Sequence, residues 1–189
     1  MSENDDFNSE EFLNPKIPKA GDSSFVEQGR AVAYFSPGDC ESTYAICYKK
    51  AGDILVGQAK ADSMVVDFLG YPTVFLYRHY LELSLKDFCN RLGEKPKLNH
   101  GLIPLWRVIR DYFDETKSDP DFDAVESVIK EWERYDRGSF SFRYPTKKSG
   151  ERSLPDDFSA VGLENLCTQI QKLDNFFGGI DVYLSERDP

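Results

Sequence analysis

The sequence predicts an all-α fold, a helical bundle of about five helices with a short extended or hairpin excursion near residues 139–153. Apolar residues recur at steps of three and four along several segments, which is the period of an amphipathic helix. Turn-forming residues separate these segments. The 189 residues suffice for one domain with a core, and a hydrophobic content of 40% argues against a disordered chain.

The N-terminal part is polar. Residues 1–25 are acidic and predict a flexible arm, which leaves residues 26–189 as a single helical-bundle domain. The segment 25–35 is compatible with either a short helix or an extended strand. Periodic apolar residues then predict a helix over 40–61. Residues 62–69 are either a connecting turn or an early start of the next helix.

The segment from Tyr71 to Leu92 predicts the central helix of the bundle. Pro72 suits its first turn, and Gly93 stands where a C-terminal cap belongs. Its stripe consists of Val74, Tyr77, Leu81, Leu85, Phe88 and Leu92. Further apolar residues lie off the stripe, so we expect packing on more than one side and a homodimer.

Three more segments follow. Asn99 and His100 stand at the cap position of a helix over 102–113, whose first turn tolerates a proline. The run 118–120 opens another helix that should end near Gly138. The last helix could start at Asp156, Asp157 or Ser159, and a glycine pair at 178–179 would bend or end it.

Between the last two helices, residues 139–145 read SFSFRYP. If this stretch is extended, its alternation places Phe140, Phe142 and Tyr144 on one side. Residues 146–153 then predict an exposed turn or hairpin loop.

Charge limits the function classes. The chain has 33 acidic and 23 basic residues, a net charge of −10, which argues against a broad nucleic-acid surface. Lys and Arg are locally enriched over 77–110 and 134–152, where any RNA contact should lie. No apolar run reaches the length of a membrane span, and the acidic N-terminus lacks a signal pattern. We therefore expect a soluble, cytoplasmic protein without a membrane partner.

Metal and cofactor motifs are not found. The four cysteines form no CxxC pair, and the chain has two histidines, so we predict no metal site and free thiols buried in helices. Neither a Gly-rich phosphate loop nor a serine nucleophile elbow occurs, and we predict no cofactor.

The polar residues of the central helix are ordered. Arg78, Glu82 and Lys86 follow at four-residue steps and can pair with their neighbours, with His79 beside them. One interpretation is an ordinary salt-bridged surface. The other is a polar seam inside the bundle that faces a ligand or another chain, with His79 as a titratable group.

Two later stretches add chemistry. His100 should lie near the C-terminal half of the central helix if the next helix is antiparallel to it. Asp136 and Arg143 could return to one end of the bundle. An Arg near a His suits a phosphate or a scissile phosphodiester. Alternatively, His100 only caps a helix and Arg143 pairs with Glu82 or Asp136.

Together these stretches resemble the HEPN superfamily of prokaryotic helical bundles. The family's E-x-x-L-K pattern is matched by Glu82 to Lys86, its H-x-L by His100 to Leu102, and its R-Y-P by Arg143 to Pro145. The resemblance implies the bundle, a homodimer, and a nucleotide, RNA or protein partner. It places the chain in a stress, toxin–antitoxin or phage-defence setting.

The chain departs from the nuclease members of that family. They carry an Arg and a His four to six residues apart on one helix, and no such pair occurs here. We therefore expect a non-catalytic binding protein. The alternative is a divergent metal-independent endoribonuclease with His100, His79 and Arg78 as catalytic residues. The candidate ligand-binding residues are Arg78, Glu82, Lys86, His100, Asp136, Arg143 and Tyr144.

Overall fold

A computed structural model describes Ala33 and residues 40–94, 100–114 and 119–186. Within these residues it contains five α-helices and no strand, which confirms the all-α prediction. The elements are α1 (Glu41–Ala61), a 3-10 turn (Ser63–Val65), α2 (Val66–Arg91), α3 (Leu102–Phe113), α4 (Pro120–Asp136) and α5 (Leu163–Ser185). The predictions for the N-terminal arm and for the segment 25–35 lie outside the described residues.

The core forms around α2, which packs against α1, α3 and α5, while α3 also packs against α4. Side chains with no solvent exposure come from several helices. The apolar ones include Tyr77, Leu81 and Leu85 of α2, Leu105, Trp106 and Ile109 of α3, Ile129 of α4 and Ile170 of α5. The periodic stripes read from the sequence are therefore the faces that meet in the core. No helix in the described ranges is both long enough and apolar enough to cross a membrane.

Of the two alternatives for residues 62–69, the early start of the central helix is the one that the structure shows, from Val66 onward. The Asp62 side chain accepts a hydrogen bond from the Met64 amide at 2.9 Å and opens the 3-10 turn, and α2 then runs without a break from Val66. Pro72 therefore lies inside α2 rather than at its start. Phe68 and Pro72 are both exposed, so water can satisfy the Phe68 carbonyl that Pro72 leaves without a donor.

Helix α5 starts at Leu163, later than the sequence predicts. None of Asp156, Asp157 and Ser159 caps it, and Gly162 precedes its first residue. Asp157 instead forms an ion pair with Arg134 of α4. The helix also continues through the glycine pair 178–179, because Phe177 and Ile180 on either side are buried and hold the backbone in place.

The prediction that Phe140, Phe142 and Tyr144 share one face is wrong, because residues 141–143 form a turn. The amides of Arg143 and Tyr144 both donate to the Phe140 carbonyl, at 3.0 and 3.1 Å. Phe142 is thereby buried, while Phe140 and Tyr144 stack on each other with centroids 4.6 Å apart. A small hairpin follows, with an antiparallel bridge between Thr146 and Arg152, as the sequence predicted.

The contact between α1 and α2 gives a matched pair of glycine substitutions. A Cβ at Gly52 would lie 2.6 Å from the Tyr77 ring, whereas a Cβ at Gly57 would meet nothing within 4 Å. We expect Gly52→Ala to lower the unfolding free energy by about 1–3 kcal/mol, because the buried ring has to move. Gly57→Ala should leave it unchanged or raise it by up to about 1 kcal/mol through helix propensity. Urea denaturation checks both, and equal effects of the two variants would contradict the packing.

Candidate functional site

A buried polar centre joins three helices. Arg78 and Glu82 of α2 have 0% and 1% of their side-chain surface exposed, and Asp136 at the end of α4 is also buried. Lys86 and His100 lie at the edge of this group. We call these five residues the Arg78 centre. Arg78 and Glu82 are therefore buried inside the bundle, as the seam interpretation predicts, and do not form an ordinary salt-bridged surface. That the seam faces a ligand or another chain stays a prediction.

Arg78 uses all three nitrogens of its guanidinium. Nη1 donates to Glu82 Oε2 at 3.2 Å, Nε donates to the Asp136 carbonyl at 3.1 Å, and Nη2 donates to the His100 carbonyl. The Asp136 carbonyl lies at the C-terminal end of α4, where the helix dipole favours a cation. Arg78 therefore ties α2 to the end of α4 and to the start of α3, and no nitrogen faces solvent.

The two carboxylate oxygens of Glu82 bind different groups: Oε2 binds the buried Arg78, and Oε1 binds the more exposed Lys86 and His100. Its Oε1 accepts hydrogen bonds from Lys86 Nζ at 2.6 Å and contacts His100 Nδ1 at 2.9 Å. Burial tends to raise the pKa of the Glu82 carboxyl, but the hydrogen bonds from Lys86 and His100 outweigh it and hold the pKa below its usual value. The carboxylate is therefore ionised at neutral pH, and the His100 ring, 59% exposed, is oriented by it.

Asp136 shapes the turn that follows α4. Its Oδ1 accepts from the amides of Phe140 and Ser141 at 2.6 and 2.9 Å. Ser139, which lies in the sequence between α4 and Phe140, is buried and has a φ of 53°. This left-handed conformation costs a residue with a side chain about 1–2 kcal/mol. The two hydrogen bonds to one carboxylate hold Ser139 in that conformation.

His100 does not cap α3. Gly101 occupies the N-cap position, and the first free amide, that of Leu102, donates to Glu133 Oε2 of α4 at 2.8 Å. Glu133 was missed in the sequence because it comes from another helix, and no local spacing relates it to the amide that it binds.

His79 lies in an aromatic environment separate from the Arg78 centre. Its ring stacks on Phe75 with centroids 5.7 Å apart and meets Tyr48 edge-on at 4.4 Å. Burial lowers the pKa of His79, and the neighbouring cations Lys86, Arg143 and Arg78 lower it further, against the opposing effect of Glu82. The imidazole is therefore neutral at neutral pH.

Arg143 and Tyr144 lie on the surface turn rather than in the Arg78 centre. In the described part of the chain, Arg143 forms no ion pair with Glu82 or Asp136, so the alternative in which it pairs with one of them is wrong. Its Nε donates to the Ser139 carbonyl at 2.6 Å, and its guanidinium carbon lies 5.5 Å from the Phe75 ring centroid. Tyr144 is 50% exposed. The predicted residues thus divide into a buried set and a surface set.

A second polar cluster was not predicted. Lys49 of α1 forms ion pairs with Asp53 at 3.0 Å and with Asp174 of α5 at 3.4 Å. The hydroxyl groups of Tyr77 and Tyr80 donate to the same two carboxylates, each at 2.8 Å. Tyr77 belongs to the apolar stripe of α2, so the sequence pattern concealed its polar hydroxyl group, and Tyr80 lies off that stripe. With every member paired, the cluster locks α1, α2 and α5 together.

No group of three His, Cys, Asp or Glu side chains suited to a metal ion occurs among the described residues. The cysteines are free thiols, as expected. Their predicted burial holds fully only for Cys89, because Cys40 and Cys47 are exposed and Cys167 is half-buried.

The depressed pKa of Glu82 predicts a pH-dependent stability. The ionised carboxylate stabilises the fold above its unfolded pKa of about 4.5, and this contribution disappears as the pH falls through the lower folded-state pKa. Glu82→Gln should lower the unfolding free energy at pH 7 by about 3 kcal/mol or more, since Arg78 stays buried without its counter-charge.

The free-energy difference between the parent and Glu82→Gln should shrink as the pH is lowered below about 4.5, measured by urea denaturation. Glu164→Gln is the matched control, because Glu164 forms an exposed ion pair with Lys60, and it should cost less than about 1 kcal/mol. A difference for Glu82→Gln that stays constant down to acid pH would contradict the assignment.

Comparisons with protein-family models, with curated proteins and with solved structures find no significant match to this chain. Its function therefore has to be inferred from its motifs and from the geometry of its polar groups.

Proposed function

We propose that this chain is a HEPN-like helical protein that binds a nucleotide, RNA or protein partner without chemical turnover. The resemblance rests on three short motifs, and the positions of the first two support it. Glu82 of the first motif contacts His100 of the second, although the two residues lie 18 positions apart in the sequence. The third motif, Arg143 to Pro145, lies on the surface turn that follows Asp136.

The observation that carries the non-catalytic role is the burial of Arg78. A nuclease of this type needs an arginine that reaches the scissile phosphate, but every nitrogen of Arg78 is already bound within the protein. His79 is neutral, stacks on Phe75 and meets Tyr48 edge-on. The Arg78 centre therefore serves to build the fold.

A second function, that of a divergent metal-independent endoribonuclease, is favoured by one feature. The Glu82 carboxylate holds His100 through Nδ1, and the ring is 59% exposed. A carboxylate-oriented imidazole is a common general acid or base. Lys86, 20% exposed and bound to the same carboxylate, is the adjacent cation in this arrangement.

The setting and assembly are part of the proposal. A cytoplasmic homodimer in prokaryotic stress response, a toxin–antitoxin pair or phage defence fits the family resemblance. Support for the dimer comes from apolar residues exposed at the start of the central helix. Met64, in the 3-10 turn just before α2, and Phe68 are 80% and 79% exposed.

RNA cleavage in EDTA separates the two functions. The purified parent protein is incubated with a labelled single-stranded RNA, beside His100→Ala and His79→Ala, and products are resolved by electrophoresis. We expect no cleavage by any of the three, because every guanidinium nitrogen of Arg78 is already bound within the protein.

Cleavage by the parent that falls about 100-fold or more in His100→Ala would overturn the non-catalytic role and establish His100 as the acid or base. Equal cleavage by all three proteins would identify a contaminating nuclease, since both candidate acid–base residues would then be dispensable. Circular dichroism confirms that the variants are folded.

A further inference from the structure

A cleft opens beside the turn that Asp136 holds. Its volume is about 450 Å³, and it lies between the start of α2 and the hairpin of residues 145–153. Arg143, Tyr144 and Arg152 line it from the hairpin side and Tyr71 from α2, over a floor of Phe142 and Leu154. Ligand pockets typically measure roughly 300–1,000 Å³, so the cleft has room for a small organic molecule.

Both arginines of the cleft keep donors for a ligand. Arg143 uses Nε on the Ser139 carbonyl, and Arg152 uses Nη2 on the Phe158 carbonyl at 3.2 Å. Within the described ranges neither guanidinium forms an ion pair with a carboxylate, although the chain has 33 acidic residues. Two guanidinium groups without a carboxylate at one cleft are suited to a phosphate.

The nearby carboxylate does not cancel this charge. Glu151, next to Arg152, lies 3.9 Å from Lys147 Nζ and accepts a hydrogen bond from Ser149 at 3.2 Å. Residues 137–153 contain five Lys or Arg and one acidic residue, in a chain whose net charge is −10. The local excess of positive charge in this segment therefore favours an anion.

The aromatic residues of the cleft complete the chemistry. Tyr71 is 57% exposed and makes no ring–ring contact in the described part of the chain, so a face is open for stacking. The Tyr144 ring is already fixed by Phe140, and its hydroxyl remains as a polar group. Bases stack well on exposed aromatic rings, whereas an acidic peptide would use the arginines but not Tyr71.

We propose that this cleft binds a nucleotide unit, with the phosphate on Arg143 and Arg152 and the base on Tyr71. The unit is either a free nucleotide or a residue of single-stranded RNA, since both present a phosphate beside an aromatic base. This inference rests on the proposed binding function and names its ligand class and its site.

The test is isothermal titration calorimetry with three probes: adenosine monophosphate, inorganic phosphate and an oligoadenylate of ten residues. The parent is compared with Arg143→Gln, Arg152→Gln, Tyr71→Ala and Tyr71→Phe. Arg107→Gln is the matched control, because it removes the same charge from an exposed position on α3 that does not line the cleft. Circular dichroism melts confirm that each variant is folded.

We expect each cleft arginine variant to weaken adenosine monophosphate binding about tenfold or more, and Arg107→Gln to leave it within about twofold. Tyr71→Ala should weaken it about fivefold or more, while Tyr71→Phe, which keeps the ring, should not. An oligoadenylate that binds much more tightly than the mononucleotide would identify RNA as the source, and equal affinities would identify a free nucleotide.

The inference would be overturned if neither nucleotide probe bound, or if binding survived both arginine substitutions. It would also be overturned if Arg107→Gln lost as much affinity as the cleft variants, or if inorganic phosphate bound as tightly as adenosine monophosphate. These outcomes leave the non-catalytic role standing, with a protein partner as the remaining ligand. RNA cleavage that depends on His100 would instead overturn that role and leave the cleft untouched.

Discussion

The guanidinium of Arg78, buried between α2, α3 and α4, is the interaction on which the rest of the structure depends. Removing a charged pair from water costs several kcal/mol for each ion, and the attraction between Arg78 and Glu82 alone does not guarantee a gain. The additional hydrogen bonds of both side chains offset the remaining cost of removing the pair from water. Two backbone carbonyls accept from Arg78, while Lys86 and His100 satisfy the other oxygen of Glu82.

The same centre links the core to the surface. Arg78 donates to the carbonyl of Asp136, the last residue of α4. The Asp136 carboxylate in turn accepts hydrogen bonds from the amides of Phe140 and Ser141 in the turn that follows. Ser139 then accepts from Arg143 through its carbonyl, which sets the position of the guanidinium at the cleft. The buried residues thus position the exposed turn, and the turn carries the side chains that can bind a ligand.

The sequence predicts the helices well because amphipathic periodicity depends on local spacing. The four-residue steps from Arg78 to Lys86 also predict both ion pairs correctly. What the spacing cannot show is which partner a side chain finds on another helix. Three residues are such cases. Glu133 of α4 binds the first amide of α3 in place of the expected cap, and Asp157 pairs with Arg134 instead of starting α5. Tyr71 lines the same cleft as Arg152, which adds a residue to the expected binding site.

Amide hydrogen exchange in the parent and in Arg78→Lys tests the central role of Arg78 most directly. Lysine keeps the charge but cannot reach three acceptors at once. We predict that the amides of Phe140 and Ser141, although they lie in a turn, are protected in the parent. In Arg78→Lys they should exchange about tenfold faster or more, while Ile170 in α5 keeps its protection. Unprotected turn amides in the parent, or protection unchanged by the substitution, would contradict it.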